Sequence, residues 1–264
     1  MASDGTAPSA PAYTWRVPAR RAPTPRSLTV HSDGLRLAAL LVVPPVRPQG
    51  ALLVCHGAGS RKENHLVMAE QAATRGLAGM VFDFRGHGES QGVMDAGGWR
   101  DVVAAAATLR RESGAGWLAG RGSSMGGFLL LLAARARPTL FRALALLCPA
   151  DPQSLLDGLE RLDRGLAPAS TDVPAGGRFD SASLQPFLES VDLVEAARGM
   201  PRVLLAHARD DDAVPFAHSE RLARVLAPPT RLIALQSGGH RAPARSPEVA
   251  RATLDWALTH GPGA

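Results

Sequence analysis

A serine flanked by glycines is the first candidate for chemistry in this chain. It lies in the segment GRGSSMGG, residues 120–127, between a short apolar run and a strongly apolar one. The spacing Gly122-x-Ser124-x-Gly126 predicts a sharp strand-to-helix turn, because glycines two residues away on either side let strand and helix approach closely. Such a turn lifts the Ser124 hydroxyl above the sheet. It also aims the backbone N–H of Met125 at a developing negative charge. We therefore predict a nucleophilic Ser124 with Met125 as one oxyanion donor.

A serine hydroxyl is a weak nucleophile near neutral pH, so it needs an imidazole to take its proton and a carboxylate to orient that imidazole. Three consecutive aspartates, Asp210–Asp212, follow a later apolar run, and His240 follows the last one in a Gly-Gly loop. All three groups come after predicted parallel strands, whose carboxyl ends meet at one edge of a sheet. The order Ser, Asp, His therefore predicts a catalytic triad.

The elements that position these residues follow an α/β pattern. Two β-rich runs, 27–32 and 35–43, are separated by Asp33-Gly34, which predicts a hairpin. Further apolar runs predict strands at 51–55, 78–82, 117–119, 143–147, 202–206 and 230–235. Helical patterns alternate with them at 64–75, 95–112, 128–134, 216–226 and 246–260. This alternation predicts one domain with a mostly parallel sheet and helices on both faces.

Two glycine-rich loops follow predicted central strands. The first, residues 56–60, makes Ala58 the candidate for a second oxyanion donor, the alternative being a simple helix-entry turn. We expect His56 to hydrogen-bond this loop rather than act as a base. The second loop, residues 83–90, holds Asp83, Arg85 and His87, which we expect to lock it by charge-assisted hydrogen bonds.

The alternation breaks between residues 151 and 199. A long irregular insertion in a compact domain is usually functional, so we interpret it as a cap over the active site. Its apolar residues either line an acyl pocket or pack the cap onto the body; they include Leu155, Leu159, Leu162, Phe179, Leu184 and Phe187. The core is then formed by residues 27–150 and 200–264, and residues 1–26 are a flexible leader rich in Pro and Ala.

The composition excludes several other classes. The 264 residues carry a net charge of +5, but the arginines are scattered and Lys62 is the only lysine, so nucleic-acid binding has little support. No apolar run is long enough to span a membrane, and the N-terminus lacks the pattern of a signal peptide. Cys55 and Cys148 lie in apolar runs as buried thiols do, without the spacing of metal ligands. We expect a cytoplasmic protein with no metal or organic cofactor.

Over residues 27–260 the chain resembles the α/β-hydrolase-fold serine hydrolases. The family's oxyanion loop is similar to residues 56–59, its Asp-x-Arg-Gly-His-Gly-x-Ser loop to residues 83–90, and its nucleophile turn to residues 122–126. The family's acid loop is similar to residues 207–215, with Ala208 in place of glycine, and that register selects Asp211 from the three aspartates. The resemblance implies an eight-stranded, mostly parallel sheet with a small cap.

Within this fold, the short cap and the Ser-Met-Gly-Gly turn look most like small carboxylesterases, including feruloyl- and cinnamoyl-esterase-like and dienelactone-hydrolase-like members. The implied reaction is acyl transfer from a small-molecule ester through an acyl-enzyme. An amide, peptide or thioester hydrolase with the same triad is the alternative. An aminopeptidase would need an acidic patch, for which the cap offers Glu160, Asp163, Asp180 and Glu189. A non-catalytic binding protein is a third reading, but such proteins usually lack a triad member and none is missing here.

Overall fold

A computed structural model describes residues 24–166 and 176–261. Most of the predicted leader, residues 1–23, lies outside the described residues, and so do residues 167–175 within the predicted cap. Within the described ranges, every helix is too short or too polar to cross a bilayer.

Eight strands form one sheet in the order β1-β2-β4-β3-β5-β6-β7-β8. The strands are β1 (Arg26–Ser32), β2 (Leu35–Val42), β3 (Gly50–Cys55), β4 (Leu77–Phe82), β5 (Leu118–Ser123), β6 (Ala143–Leu147), β7 (Val203–Ala208) and β8 (Thr230–Leu235). β2 pairs antiparallel with β1 and with β4, and all other neighbours are parallel. The predicted eight-stranded, mostly parallel sheet is confirmed. Because β3 to β8 run in one direction, the loops that follow them meet at one edge.

The hairpin turns at Asp33 and Gly34, whose φ angles are 47° and 78°. Positive φ at both central residues is the type I′ geometry that matches the twist of the two strands, and Asp-Gly is among the sequences that adopt it most readily.

The helices and the 3₁₀ turn that precedes the first of them were predicted with partial success. They are the 3₁₀ turn Lys62–His65, α1 (Leu66–Thr74), α2 (Gly98–Ser113), α3 (Met125–Ala136), α4 (Pro152–Asp163), α5 (Ser181–Ser190), α6 (Leu193–Ala197), α7 (Phe216–Val225), α8 (Ala242–Arg245) and α9 (Pro247–Thr259). The helix predicted from residue 64 begins with the 3₁₀ turn, and the one predicted from residue 95 begins three residues later. Helix α5 was missed, because Pro186 lies inside it and interrupts the expected pattern.

Helices cover both faces of the sheet. α2 and α3 pack on one face around Val102, Leu109 and Phe128, and α1 and α9 pack on the other around Met68 and Leu254. The strands between these layers are buried on both sides, as their continuous apolar runs indicated.

Three helices, α4 to α6, lie between β6 and β7, in the stretch where the alternation of strands and helices was expected to break. α4 packs on α5, while α6 packs on α3 and α7. Arg178 and Asp180, before α5, exchange backbone hydrogen bonds of 2.7–2.8 Å with Gly86 and Met94 of the core. The insertion is therefore fastened at its base to the loops that follow β4.

Candidate active site

Ser124 lies between the last residue of β5 and the first residue of α3, with φ 53° and ψ −122°. Positive φ is costly for a residue with a side chain, so the surrounding packing must hold it. A Cβ on Gly122 would lie 2.5 Å from the carbonyl oxygen of Gly126, and one on Gly126 would overlap that of His56. The glycines are therefore required by the close approach of strand, helix and loop, as the sequence pattern predicted.

The structure brings the predicted acid and base together. His240 Nδ1 lies 2.8 Å from Asp211 Oδ2, and the Asp211 carboxylate is fully buried. The other oxygen of Asp211 accepts hydrogen bonds of 2.9 Å from the backbone N–H groups of Ala213 and Val214. The carboxylate is thus held fixed, and it faces the ring nitrogen that a general base keeps protonated.

Burial by itself would raise the pKa of Asp211, but hydrogen bonds from His207 and His240 hold it well below its usual range. Burial likewise disfavours the charged form of His240. The hydrogen bond to Asp211 and the adjacent Cys148 side chain outweigh that and raise the pKa of His240 above its usual value of 6.5. The pair is therefore built to stabilise an imidazolium at His240.

The three consecutive aspartates have three different environments. Asp211 contacts His240, whereas Asp210 accepts hydrogen bonds of 3.0 Å from the backbone N–H groups of Gly238 and Gly239. Asp210 therefore fixes the loop that carries the histidine. Asp212 lies in the wall of the adjacent cavity.

Ala58 and Met125 both line the cavity that contains Ser124. Met125 is the first residue of α3, so its N–H is among those without a partner inside the helix. A Cβ on Gly57, beside Ala58, would lie 3.2 Å from the Cβ of Ser124, so the loop after β3 passes at contact distance from the serine. Both predicted donors therefore lie next to the serine.

Sequence reasoning missed two neighbours of the acid and base. His207 Nε2 lies 3.0 Å from Asp211 Oδ2, and its Nδ1 lies 2.7 Å from Ser219 Oγ. The Cys148 thiol donates to the backbone oxygen of His240 at 3.2 Å. His207 stood in the acid-loop motif, so the motif itself was the available signal; Cys148 gave none beyond its position at the end of a strand.

Among the described residues, Cys148, Asp211 and His240 are one set of three potential metal ligands within 4.8 Å of one another. Their polar atoms are already engaged in the hydrogen bonds given above. The group is therefore accounted for without an ion.

The loop at residues 83–90 behaves largely as expected. Asp83 accepts hydrogen bonds from the backbone and the side chain of Lys62, and Arg85 forms ion pairs with Asp33, Asp95 and Asp101. His87 differs from expectation: within the described ranges, its Nδ1 hydrogen-bonds to the backbone oxygen of Arg85 alone, and its buried Nε2 has no partner.

His56 is a structural residue, as predicted. Its Nδ1 donates to the oxygen of Gly57 at 2.8 Å, and its Nε2 accepts from the N–H of Phe84 at 3.2 Å. Burial, together with the nearby His87, lowers the pKa of His56 to about 3, so the ring is neutral at pH 7.

Ser124 and His240 open into a cavity of about 1300 Å³. This exceeds the roughly 300–1,000 Å³ of most small-molecule sites. Its wall is mostly apolar, and α4, α5 and α6 supply much of it. All six apolar residues singled out in the insertion contribute to it: Leu155, Leu159, Leu162, Phe179, Leu184 and Phe187.

A family model described as "Serine aminopeptidase, S33" matches residues 46–174, just under half of the chain. The monoglyceride lipase of Mus musculus is 32% identical over 174 residues, 62% of this chain and 56% of that protein. The monoglyceride lipase of Rattus norvegicus is 30% identical over 172 residues, with the same coverage. The chain thus spans about half the length of the curated relatives it matches.

Similar solved structures cover nearly the whole chain. Est1E from Butyrivibrio proteoclasticus, solved with ferulic acid bound, has a TM-score of 0.72 at 20% identity and covers 88% of this chain and 98% of its own. DcsB, solved with a substrate analogue, has a TM-score of 0.73 at 16% identity, covering 91% and 100%. At such identities the likeness concerns the fold.

Proposed function

We propose that this chain, which has the α/β-hydrolase fold, is a serine hydrolase that cleaves carboxylic esters. The observation that carries the proposal is the buried Asp211–His240 hydrogen bond, at the same cavity as the strained Ser124. The matches to monoglyceride lipases favour an ester as the substrate.

The proposed reaction has two steps. Ser124 Oγ attacks the ester carbonyl while His240 takes its proton, and Asp211 stabilises the resulting imidazolium. The N–H groups of Ala58 and Met125 hold the negative oxygen of the tetrahedral intermediate. The intermediate then expels the alcohol, which receives the proton from His240, and an acyl-serine remains. Water, deprotonated by His240, attacks this ester and releases the acid.

We further propose that α4–α6 form a cap and that their apolar residues hold the acyl chain. A methylene transferred from water to an apolar wall gains about 0.8 kcal/mol, which is about fourfold in an equilibrium constant. For p-nitrophenyl esters, kcat/KM should therefore rise by up to about fourfold per methylene from acetate to octanoate. A maximum at acetate would contradict the proposal that this cavity is an acyl site.

The decisive experiment compares Ser124→Ala with Ser123→Ala on p-nitrophenyl octanoate. Loss of the nucleophile should lower kcat by about 10⁶-fold, while the neighbouring serine should matter little. In the parent chain, mixing with excess ester should release a burst of p-nitrophenolate equal to the enzyme concentration if deacylation is slower than acylation. Undiminished turnover in Ser124→Ala would overturn the assignment of the nucleophile.

Amide and peptide substrates are the alternative, and the description of the matching family model favours testing them. The acidic side chains of the insertion have local partners, however. Glu160 pairs with Arg164, Asp163 accepts from Ser181, and Asp180 caps α5. We therefore expect aminoacyl p-nitroanilides to be much poorer substrates than octanoate esters; the reverse order would favour the aminopeptidase reading.

A further inference from the structure

The large cavity contains a polar patch that the proposed reaction does not use. Asp151, at the start of α4, and His218 and Arg221, on α7, all line it among mostly apolar neighbours. Charged and titratable groups in an apolar wall are costly unless they are paired or meet a polar ligand.

The His218 ring is 1% exposed, and its Nε2 has no hydrogen-bond partner among the residues that the structure describes. Arg221 Nη2 lies 3.5 Å from His218 Nδ1. A guanidinium can only donate, so Nδ1 acts as the acceptor and the ring hydrogen sits on Nε2. The unsatisfied group is therefore an N–H donor.

His218 is neutral at physiological pH. Burial is the main cause that lowers its pKa, to about 4, and the charge of Arg221 adds to the effect, although Asp151 opposes it. The ring of this cavity-lining residue thus carries one N–H donor and no charge.

Asp151 provides an acceptor in the same patch. Its Oδ1 accepts the N–H of Ser154 at 2.8 Å, which caps α4, and this is the one hydrogen bond that its carboxylate makes to the described residues. Asp151 and His218 line the same cavity, and the negative charge of Asp151 favours the charged form of the His218 ring. Donor and acceptor together match a hydroxyl group, which accepts from one and donates to the other.

We infer that His218 and Asp151 form a subsite that binds a hydroxyl group of the substrate inside the apolar cavity. The inference rests on the proposed function, because it concerns the substrate of the same site. A carboxylate would be repelled by Asp151, although Arg221 would attract it. An ammonium group would be repelled by Arg221, although Asp151 would attract it, and it would leave the His218 N–H without an acceptor. A neutral hydroxyl is repelled by neither charge and can pair with both groups.

The kinetic test compares octanoate, 8-hydroxyoctanoate and 8-aminooctanoate p-nitrophenyl esters, and also butyl and 4-hydroxybutyl octanoate. The chain should favour the hydroxylated member of at least one pair. His218→Leu should reduce that preference in kcat/KM by about 10- to 100-fold, and His218→Gln, which keeps an N–H donor, should retain part of it. Asp151→Asn keeps the oxygen that caps α4 and should weaken the preference less than His218→Leu does. Asp157→Asn makes the same charge change on α4 as a matched control and should retain the preference.

A binding measurement separates this inference from the proposed reaction. Calorimetry on Ser124→Ala should show tighter binding of 1,8-octanediol than of 1-octanol, and His218→Leu in that background should remove the difference. If no ester is hydrolysed but the diol preference depends on His218, the proposed reaction fails and the subsite stands. Equal binding of the two alcohols, a preference that survives in His218→Leu, or a preference for the amine would overturn the subsite.

Discussion

Two polar regions at the same edge of the sheet are rich in Asp and His, yet the buried carboxylates in them have different kinds of partner. In the loop after β4, Arg85 and Asp101 are buried and pair with each other at 2.6 Å, and Lys62 lies 3.0 Å from Asp83. In the loops after β7 and β8, the buried Asp211 pairs with His207 and His240 and with no Lys or Arg of the described residues. Its partners are two imidazoles and two backbone N–H groups.

The structural cluster and the proposed reactive cluster therefore differ in the partners that hold the buried carboxylate. A carboxylate already paired with a permanent cation stabilises a further positive charge less, because the two cations repel each other. Asp211, held by groups without a permanent charge, stabilises the charge that appears on His240 during proton transfer.

The largest effect is expected at Asp211. Asp211→Asn keeps the size of the side chain but removes the charge and favours the wrong tautomer of His240, so kcat should fall by about 10⁴-fold. Asp210→Asn is the matched control, because Asp210 contacts only backbone N–H groups of the histidine loop. Turnover of p-nitrophenyl octanoate measures both, and a loss below tenfold in Asp211→Asn would place the acid elsewhere.

At Arg85 the effect should be on stability rather than on turnover. Arg85→Met leaves the fully buried Asp101 without its main counter-charge, and breaking a buried pair in this way costs about 3–5 kcal/mol. Arg198→Met, which breaks an exposed pair with Glu195, should cost less than about 1 kcal/mol. Urea unfolding measures both free energies; kcat of the folded Arg85→Met protein should stay within a few-fold of the parent. A large loss of kcat without a loss of stability would give this loop a catalytic role.

Only part of the difference between these two clusters could be predicted from the sequence. The positions of the strands along the chain and the glycine spacing around Ser124 follow from local patterns, and the motif register selected the aspartate that contacts His240. The partner of Arg85 was not foreseen, since Asp101 lies on α2 and its contact depends on how that helix packs. The same holds for His218, whose missing partner is visible only in three dimensions. The expected cytoplasmic location stays a prediction.

His207 should have an intermediate effect. We assign it as a positioning residue, because it touches Asp211 Oδ2 and Ser219 but not the cavity around Ser124. His207→Gln removes the ring donor while retaining a polar side chain, and we expect kcat to fall by about tenfold, or about 1.4 kcal/mol, with KM nearly unchanged. Separate determination of kcat and KM for octanoate esters tests this expectation, and a change in KM alone would assign His207 to substrate binding instead.

The smallest effect is a shift of the pH profile. His240 must be neutral to accept the proton of Ser124, so kcat/KM should rise with pH and be lost as pH falls through the pKa of His240. Because Asp211 and Cys148 raise that pKa, the midpoint should lie above 6.5. Asp211→Asn removes the charge that stabilises the imidazolium. The residual activity of this variant should therefore rise with pH at a midpoint that lies about one pH unit or more below that of the parent. Octanoate release from butyl octanoate, followed from pH 5 to pH 10, measures both midpoints. If the midpoint is the same in Asp211→Asn, groups other than Asp211 set the pKa of His240. The contrast between a carboxylate held by neutral groups and one held by Lys or Arg would then not explain which cluster is reactive.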